Sequence, residues 1–352
     1  MGKLKKAEKD SGRLARLGEF GFIDRMARPF LKGLPKGIEG IGDDCAVLPR
    51  IKGERLIVTT DMLIEDRHFI RKRIPARDLG WKALAVNLSD IAAMGGRAKW
   101  ALLSIGIPAG IDLDWLDAFF AGWRDAAVPS GVRLAGGDTT KSPAGLVINV
   151  VVIGMVRAGR EKLRSAARPG DVIAVTGRLG DSGGGLKVIL AGASRKRGTG
   201  EKVCRDEARL IRAHNRPRPH LEEGEWLAGR AGVRAMMDVS DGIDSDIRRI
   251  MERSGVGADI DLDRLPVSPE LERVARRRGF DAIETAAAGG EDYCLLATVE
   301  RKSFDKIAVA FARKFGRPLR AVGTIRPRSS GLRYFLRGKR TSLKSRGFDH
   351  FR

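Results

Sequence analysis

The stretch Lys82-Ala83-Leu84-Ala85-Val86-Asn87-Leu88-Ser89-Asp90-Ile91-Ala92-Ala93-Met94-Gly95 decides the reading of this chain. Its apolar positions, with Leu79 before them and Ala83, Val86 and Ile91 within, recur at helical spacing and predict a helix from Asp78 to Met94. Gly95-Gly96 supplies the stop, since a residue without Cβ can turn the chain left-handed at a helix end. One residue fits a plain core helix badly. Asp90 stands among Val86, Asn87, Ile91 and Met94, a mostly uncharged stretch that offers little structural reason for an acid.

Outward from this helix, strands and helices alternate. Residues 44–48 and 55–60 are short β-type runs separated by Pro49 to Gly53, as in a hairpin or meander, and 100–107 and 145–156 are further strands. Helices are predicted at about 18–32 and at 112–130, the latter with Asp112 or Asp114 as its cap. The composition turns to Arg, Pro and Gly at 166–170, which marks a domain boundary. Beyond it come strands at 171–176, 234–239, 258–262 and 294–299. Helices follow at 182–190, 244–253, 268–279 and 303–315, with a basic loop at 194–200 and an extended, polar final stretch of about 20 residues. The alternation implies α/β or α+β layers.

Acids beside small residues recur where these elements end: Gly42-Asp43-Asp44, Thr59-Thr60-Asp61, Ser89-Asp90, Gly136-Gly137-Asp138-Thr139-Thr140 and Asp238-Val239-Ser240-Asp241-Gly242. Taken singly, each reads as readily as a turn or helix cap. Five in one chain suit a hard, oxygen-seeking ion such as Mg²⁺, because converging carboxylates repel one another unless a cation lies between them. Gly289-Gly290 permits a tight turn that projects Glu291 ahead of an apolar run. No GxxxxGK[ST] and no GxGxxG after a strand occurs, so neither a P-loop nor a Rossmann site is expected. The four histidines lack metal-ligand spacing.

The net charge of +22 raises the question of nucleic acid, and its distribution answers it. Residues 1–18 carry a net +4 and residues 326–352 a net +8, so the ends supply 12 of the 22. Basic tails with two tyrosines in the whole chain read as solvated extensions rather than a base-reading surface. Cys45, Cys204 and Cys294 are far apart and give no disulfide framework or zinc site, which suits a reducing cytoplasm. The run from Leu146 to Val156 is too short to span a membrane and reads as a buried strand.

In order along the chain, Gly40-Ile41-Gly42-Asp43-Asp44-Cys45-Ala46, Thr59-Thr60-Asp61, His68-Phe69, the Lys82 to Gly95 helix, Gly136 to Thr140, Asp238 to Gly242, Gly289-Gly290-Glu291-Asp292-Tyr293 and Gly347-Phe348-Asp349-His350-Phe351 resemble the thiamine-monophosphate kinase family. That family belongs to the aminoimidazole ribonucleotide synthetase superfamily of ATP-using dimers. The resemblance implies a two-domain α/β (α+β) fold whose N-terminal sheet pairs across a homodimer. It implies an N-terminal ATP, Mg²⁺ and dimerisation domain (19–160), a C-terminal α/β domain (168–335) and a tail (336–352) that adds to the substrate site, while the basic flexible leader (1–18) is extra to the family. Asp44, Thr59, Thr60, Asp61, Asp90, Asp138, Asp238 and Asp241 would hold several Mg²⁺ ions. Asp61, Asp90 and Asp138 would carry turnover. ATP would meet Gly137, Asp138, Arg164 and Ser240, and thiamine monophosphate would meet His68, Glu291 and Phe348. Glu65-Asp66-Arg67 departs from the small residues usual before His68. Other ATP-using members of the superfamily, or a basic nucleic-acid-associated protein, are the rival readings.

Overall fold

The computed structural model describes residues 45–51, 53–193, 203–345 and 347. The leader, the helix expected at 18–32, Asp44, the basic loop at 194–200 and Phe348 lie outside the described residues. Within them the chain builds two sheets. The first holds β1 (Ala46–Ile51), β2 (Glu54–Ile64), β3 (Arg97–Ile107), β4 (Arg133–Lys141) and β5 (Val147–Arg157) in the order β1-β2-β5-β3-β4. All neighbours are antiparallel except β3 and β4. The expected hairpin is β1–β2, turning at Gly53 with φ 80°.

β4 is a strand where the sequence suggested only an acid-bearing turn. Gly136-Gly137-Asp138-Thr139-Thr140 shows no polar–apolar alternation because all nine residues of this edge strand are exposed. The apolar run read as a buried strand is buried on one face only: along β5, Ile148, Val150, Val152, Gly154 and Val156 are covered, and the residues between them are half-exposed.

The helix at the centre of the reading, α1 (Ala76–Ala93), has 13 of its 18 residues buried, so it cannot be a surface helix. Gly95, at φ 72°, ends it as expected. On one side α1 lies against α2 (Leu113–Ser130), which Asp112 caps through a 2.8 Å bond from the Trp115 N–H. Their backbones touch closely: a Cβ on Gly80 would stand 1.8 Å from the Phe119 carbonyl oxygen, and one on Gly122 1.7 Å from that of Arg77. On the other side Ala92 and Ala93 join a cluster with Val172, Leu295 and Val299 of the second sheet. α1 is thus the shared wall between the two layers.

The second sheet runs β12-β11-β8-β10-β6-β9-β7, from β6 (Val172–Val175), β7 (Val233–Asp238), β8 (Val256–Asp261), β9 (Leu295–Val299), β10 (Arg320–Pro327), β11 (Leu332–Leu336) and β12 (Lys339–Thr341). The last two form a hairpin inside the stretch expected to be extended and polar. Helices α3 (Asp181–Ala193), α4 (Arg205–Asn215), α5 (Leu221–Ala228), α6 (Ile243–Ser254), α7 (Pro269–Arg278), α8 (Ala282–Ala288) and α9 (Arg301–Phe315) surround it. α4, α5 and α8 are additions to the sequence reading. Among the described residues no helix is long and apolar enough to cross a membrane.

Candidate active site

Between the two layers lies a cleft of about 970 Å³. β2 contributes Thr60 and Asp61, α1 contributes Lys82 and Val86, and the turn after β7 contributes Ser240 and Asp241. The turn before β9 adds Gly290 and Glu291. Arg67, His68, Arg73, Lys187 and Lys344 also line it, beside Asp66, Asp281 and Glu284, so the cleft holds cations as well as acids.

Two turns form the base by stitching together. The Glu291 N–H donates to the Ser240 carbonyl at 2.6 Å and the Tyr293 N–H to that of Val239 at 2.8 Å. Gly290 is needed for this approach, because a Cβ there would stand 2.4 Å from the Ser240 oxygen. Glu291 (φ 63°) and Tyr293 (φ 49°) are left-handed, a strain of about 1–3 kcal/mol each that the surrounding bonds hold in place. Tyr293 is buried. Its hydroxyl is pushed well above the ordinary range by burial, and then by Glu291, Asp61, Asp238 and Asp241. Acids from β2, from the end of β7 and from the turn before β9 therefore act on one ring.

Adjacent residues of α1 connect these acids. The Thr59 hydroxyl donates to Asp90 Oδ2 at 2.5 Å, and the Ser89 hydroxyl donates to Asp238 Oδ2 at 2.7 Å. Asp90 is thereby tied to the first sheet, and its neighbour to the second. Behind them lies Asp246, in the first turn of α6. Its fully buried carboxyl is pushed well up by burial, then by Asp241 and Asp238, against the opposing pull of Arg164. The Asp241 N–H donates to its Oδ2 at 3.3 Å. Among the described residues no three His, Cys, Asp or Glu side chains form a ready metal cage. The donors themselves nevertheless fit a hard dication: carboxylates and hydroxyls crowd closely enough to raise one another's proton affinity, which a bound cation would reverse.

On the rim, the Asp66 N–H donates to the Phe69 carbonyl at 2.8 Å, and Asp66 itself is left-handed at φ 62°. His68 Nδ1 accepts the Ile64 N–H at 3.0 Å, so a neutral ring would carry its proton on Nε2. Glu65 anchors the turn through Arg71 Nε and the Leu146 N–H, both at 2.8 Å.

Family comparisons bear on this arrangement directly. "AIR synthase related protein, N-terminal domain" matches residues 42–156, and "AIR synthase related protein, C-terminal domain" matches residues 168–333. The thiamine-monophosphate kinase of Escherichia coli strain K12 is 38% identical over 95% of this chain and 98% of its own. The solved structure titled "AaThiL complexed with AMPPCP and TMP" superposes with a TM-score of 0.80 at 31% identity, covering 96% of this chain and 98% of that one. The thiamine-monophosphate kinase structure from Stenotrophomonas maltophilia K279a gives 0.73 at 36% identity, covering 92% and 98%. The chain belongs to the thiamine-monophosphate kinase family. Its two-domain fold is that of the superfamily to which the matched domains belong.

The family residues do not all gather in one place. Thr60, Asp61, His68, Ser240, Asp241 and Glu291 line the cleft. Asp90 and Asp238 sit just beneath it, through Thr59 and Ser89. Arg164 lies in a 3₁₀ turn (Arg164–Ala166) beside Asp246, its carbonyl accepting the Ser254 hydroxyl at 2.6 Å. Gly137 and Asp138 are elsewhere, on β4. Register aligns Asp138 with Ser104, Asn149 and Met62, a row on the sheet face opposite the one that carries Asp61. From β2 to β4 is three strand spacings, about 14 Å.

Two residues at the base escape sequence reasoning. Asp246 reads as an ordinary acid favouring a helix N-terminus. Lys82 reads as one polar position in a buried helix, yet its ammonium donates to Glu291 Oε2 at 2.9 Å.

Proposed function

We propose that this chain transfers the γ-phosphoryl group of ATP to thiamine monophosphate, releasing ADP and thiamine diphosphate by direct in-line attack. The observation that carries the reading is a single cleft lined by Asp61, Asp241, Glu291 and Tyr293 together with Arg67, Lys187 and Lys344. Similarity over 96% of the chain to a structure complexed with AMPPCP and TMP supports it.

Asp44, Thr59, Thr60, Asp61, Asp90, Asp138, Asp238 and Asp241 would hold Mg²⁺, which when bound neutralises phosphate charge and aligns the reacting groups. Gly137, Asp138, Arg164 and Ser240 bind ATP in this reading, and His68, Glu291 and Phe348 bind the acceptor. A phosphate monoester has a second pKa of about 6, so the acceptor arrives largely dianionic and needs no general base. His68 therefore positions, its ring oriented by the Ile64 N–H that Nδ1 accepts. Asp90, fixed by the Thr59 hydroxyl, holds its carboxylate in one direction between the layers. Arg67 and Lys187 at the rim would hold anionic groups in the cleft.

The same reading makes residues 19–160 the nucleotide, metal and dimerisation domain and 168–335 the second domain, with the tail from 336 completing the acceptor site. Lys344 and Ser345 at the rim support the role of the tail. A cytoplasmic homodimer is proposed, because the outer face of the first sheet exposes Met62, Trp100 and Leu102, an apolar surface suited to a second copy. Neither a membrane nor a specific nucleic acid enters this reading.

The test is ADP release by purified protein with Mg-ATP and thiamine monophosphate, beside unphosphorylated thiamine and an aminoimidazole-pathway substrate. Turnover confined to the monophosphate, with thiamine diphosphate as product, supports the kinase. Mg-ATP binding without transfer to the monophosphate rejects it in favour of another activity of the superfamily.

A further inference from the structure

Lys82 is fully buried on α1, and its ammonium reaches Glu291 Oε2 at 2.9 Å. His214, in the last turn of α4, approaches the same oxygen through Nδ1 at 3.0 Å, and Ser182 Oγ lies 3.0 Å from that nitrogen. Segments from both layers thus converge on one carboxyl oxygen. The other, Oε1, has no protein partner among the described residues and is not among the buried atoms that lack one, so it is open to solvent.

Stability alone gives poor reason for this arrangement. Desolvating a lysine and a glutamate offsets most of their attraction, and an apolar pair of similar volume is often as stable. Holding an anion still at the wall of a cleft is a different matter. We propose that Lys82 and His214 are positioning residues that commit Oε2 of Glu291 to the protein and so present Oε1, ionised and fixed in direction, to an N–H donor or cationic heterocycle in the cleft. The proposal rests on the kinase reading for the identity of that ligand. Thiamine monophosphate carries an amino-bearing pyrimidine and a positively charged thiazolium, either of which suits Oε1. Its phosphate is repelled by Glu291 and so faces away from it.

Charge supports the geometry. Burial drives the Glu291 carboxyl upward, but Lys82 and then His214 outweigh it and hold it at about 2. His214 is itself pushed down by burial and by Lys82, so near neutrality its ring serves as an uncharged N–H donor and Lys82 supplies the charge. Asp292, next in the chain, is driven well up by burial, with Asp181 and Glu291 adding to the rise, and it accepts the Gly180 and Ser182 N–H groups instead of competing for Lys82. Tyr293, Asp61 and Asp241 line the same cleft as Glu291.

Steady-state kinetics of Lys82→Met, Lys82→Arg and His214→Gln in the full chain test this, with thiamine monophosphate and an analogue whose amino group is replaced by a carbonyl. Loss of a hydrogen bond to a charged group predicts that Lys82→Met raises KM for thiamine monophosphate about 10- to 100-fold. KM for ATP should stay within about twofold, preference over the carbonyl analogue should shrink about tenfold, and Lys82→Arg should recover part of the loss. His214→Gln should fall between Lys82→Arg and Lys82→Met. Unchanged KM for thiamine monophosphate in Lys82→Met, or equal rises in both KM values as structural loosening would give, overturns the proposal. A wild-type protein inactive on thiamine monophosphate overturns the kinase reading instead. Crystal structures of the wild type and Lys82→Met then decide the anchoring: a carboxylate that turns away in the variant supports it, and one that stays in place refutes it.

Discussion

The two sheets are built from similar residues and covered in opposite ways. In the second, β6 and β9 are buried at every position. Phe304, Ile307 and Phe311 of α9 cover one face, and Ile243, Ile247 and Ile250 of α6 cover the other. In the first, α1 and α2 cover one face and the other is left to Met62, Trp100 and Leu102. A sheet wrapped on both faces can serve only as scaffold, presenting chemistry from the turns at its ends, as with Ser240, Asp241 and Glu291. A sheet with one open apolar face can also present residues from the strands themselves, and that face is left uncovered within the chain.

The largest effect should come from the residue that joins the two layers. Asp90→Asn keeps an oxygen acceptor for the Thr59 hydroxyl but removes the charge, so kcat should fall at least about 10³-fold, or ~4 kcal/mol, while the urea midpoint barely moves. Retained turnover would make the Thr59–Asp90 bond a structural tie and nothing more. Leu296→Ala should do the reverse. Leu296 is fully buried in β9, so truncation should cost about 2–5 kcal/mol in denaturant titration while the folded fraction keeps its kcat. Next comes the open face. Trp100→Glu with Leu102→Glu should halve the mass found by analytical ultracentrifugation and leave the circular dichroism spectrum unchanged. A wild-type protein that already sediments as a monomer would mean that this face has no second copy to meet.

What the sequence shows follows the same division. Helix α1 is legible because its apolar spacing and Gly95 agree, and Asp90 stands out against that background. β4 is illegible because an exposed edge strand of Gly, Asp and Thr has no buried face to impose a period of two. The β11–β12 hairpin hides in a basic tail, turning at Arg337 and Gly338, both left-handed. Glu291 can be picked out by its paired glycines, but its partner Lys82 lies 209 residues away, and no local pattern encodes a contact at that separation. Asp246 is hidden by its ordinary place in a helix's first turn.

The smallest effect should appear at the joint that fixes the sheets to each other on the outer side. Arg216, just past α4, lies with its guanidinium 4.3 Å from the centre of the Trp81 ring and binds Asp78 at 3.3 Å and Asp125 at 3.1 Å. The Trp81 indole N–H donates to the Pro217 carbonyl at 2.6 Å. Hydrogen bonding to Arg77, then to Arg216, holds the Asp125 carboxyl at about 2, below its ordinary 3.8. A depressed carboxyl contributes stability above its unfolded value, and that contribution is lost as pH falls through the folded one. Asp125→Asn should therefore destabilise at pH 7, and the difference from wild type should close between about pH 4 and pH 2. Arg77 is 60% exposed, so solvent screening limits the effect to about 1 kcal/mol or less. Urea midpoints at pH 7 and pH 3 measure it. A difference that persists unchanged at pH 3 would assign the joint to Trp81 packing, and the two sheets would then be held together by apolar contact rather than by charge.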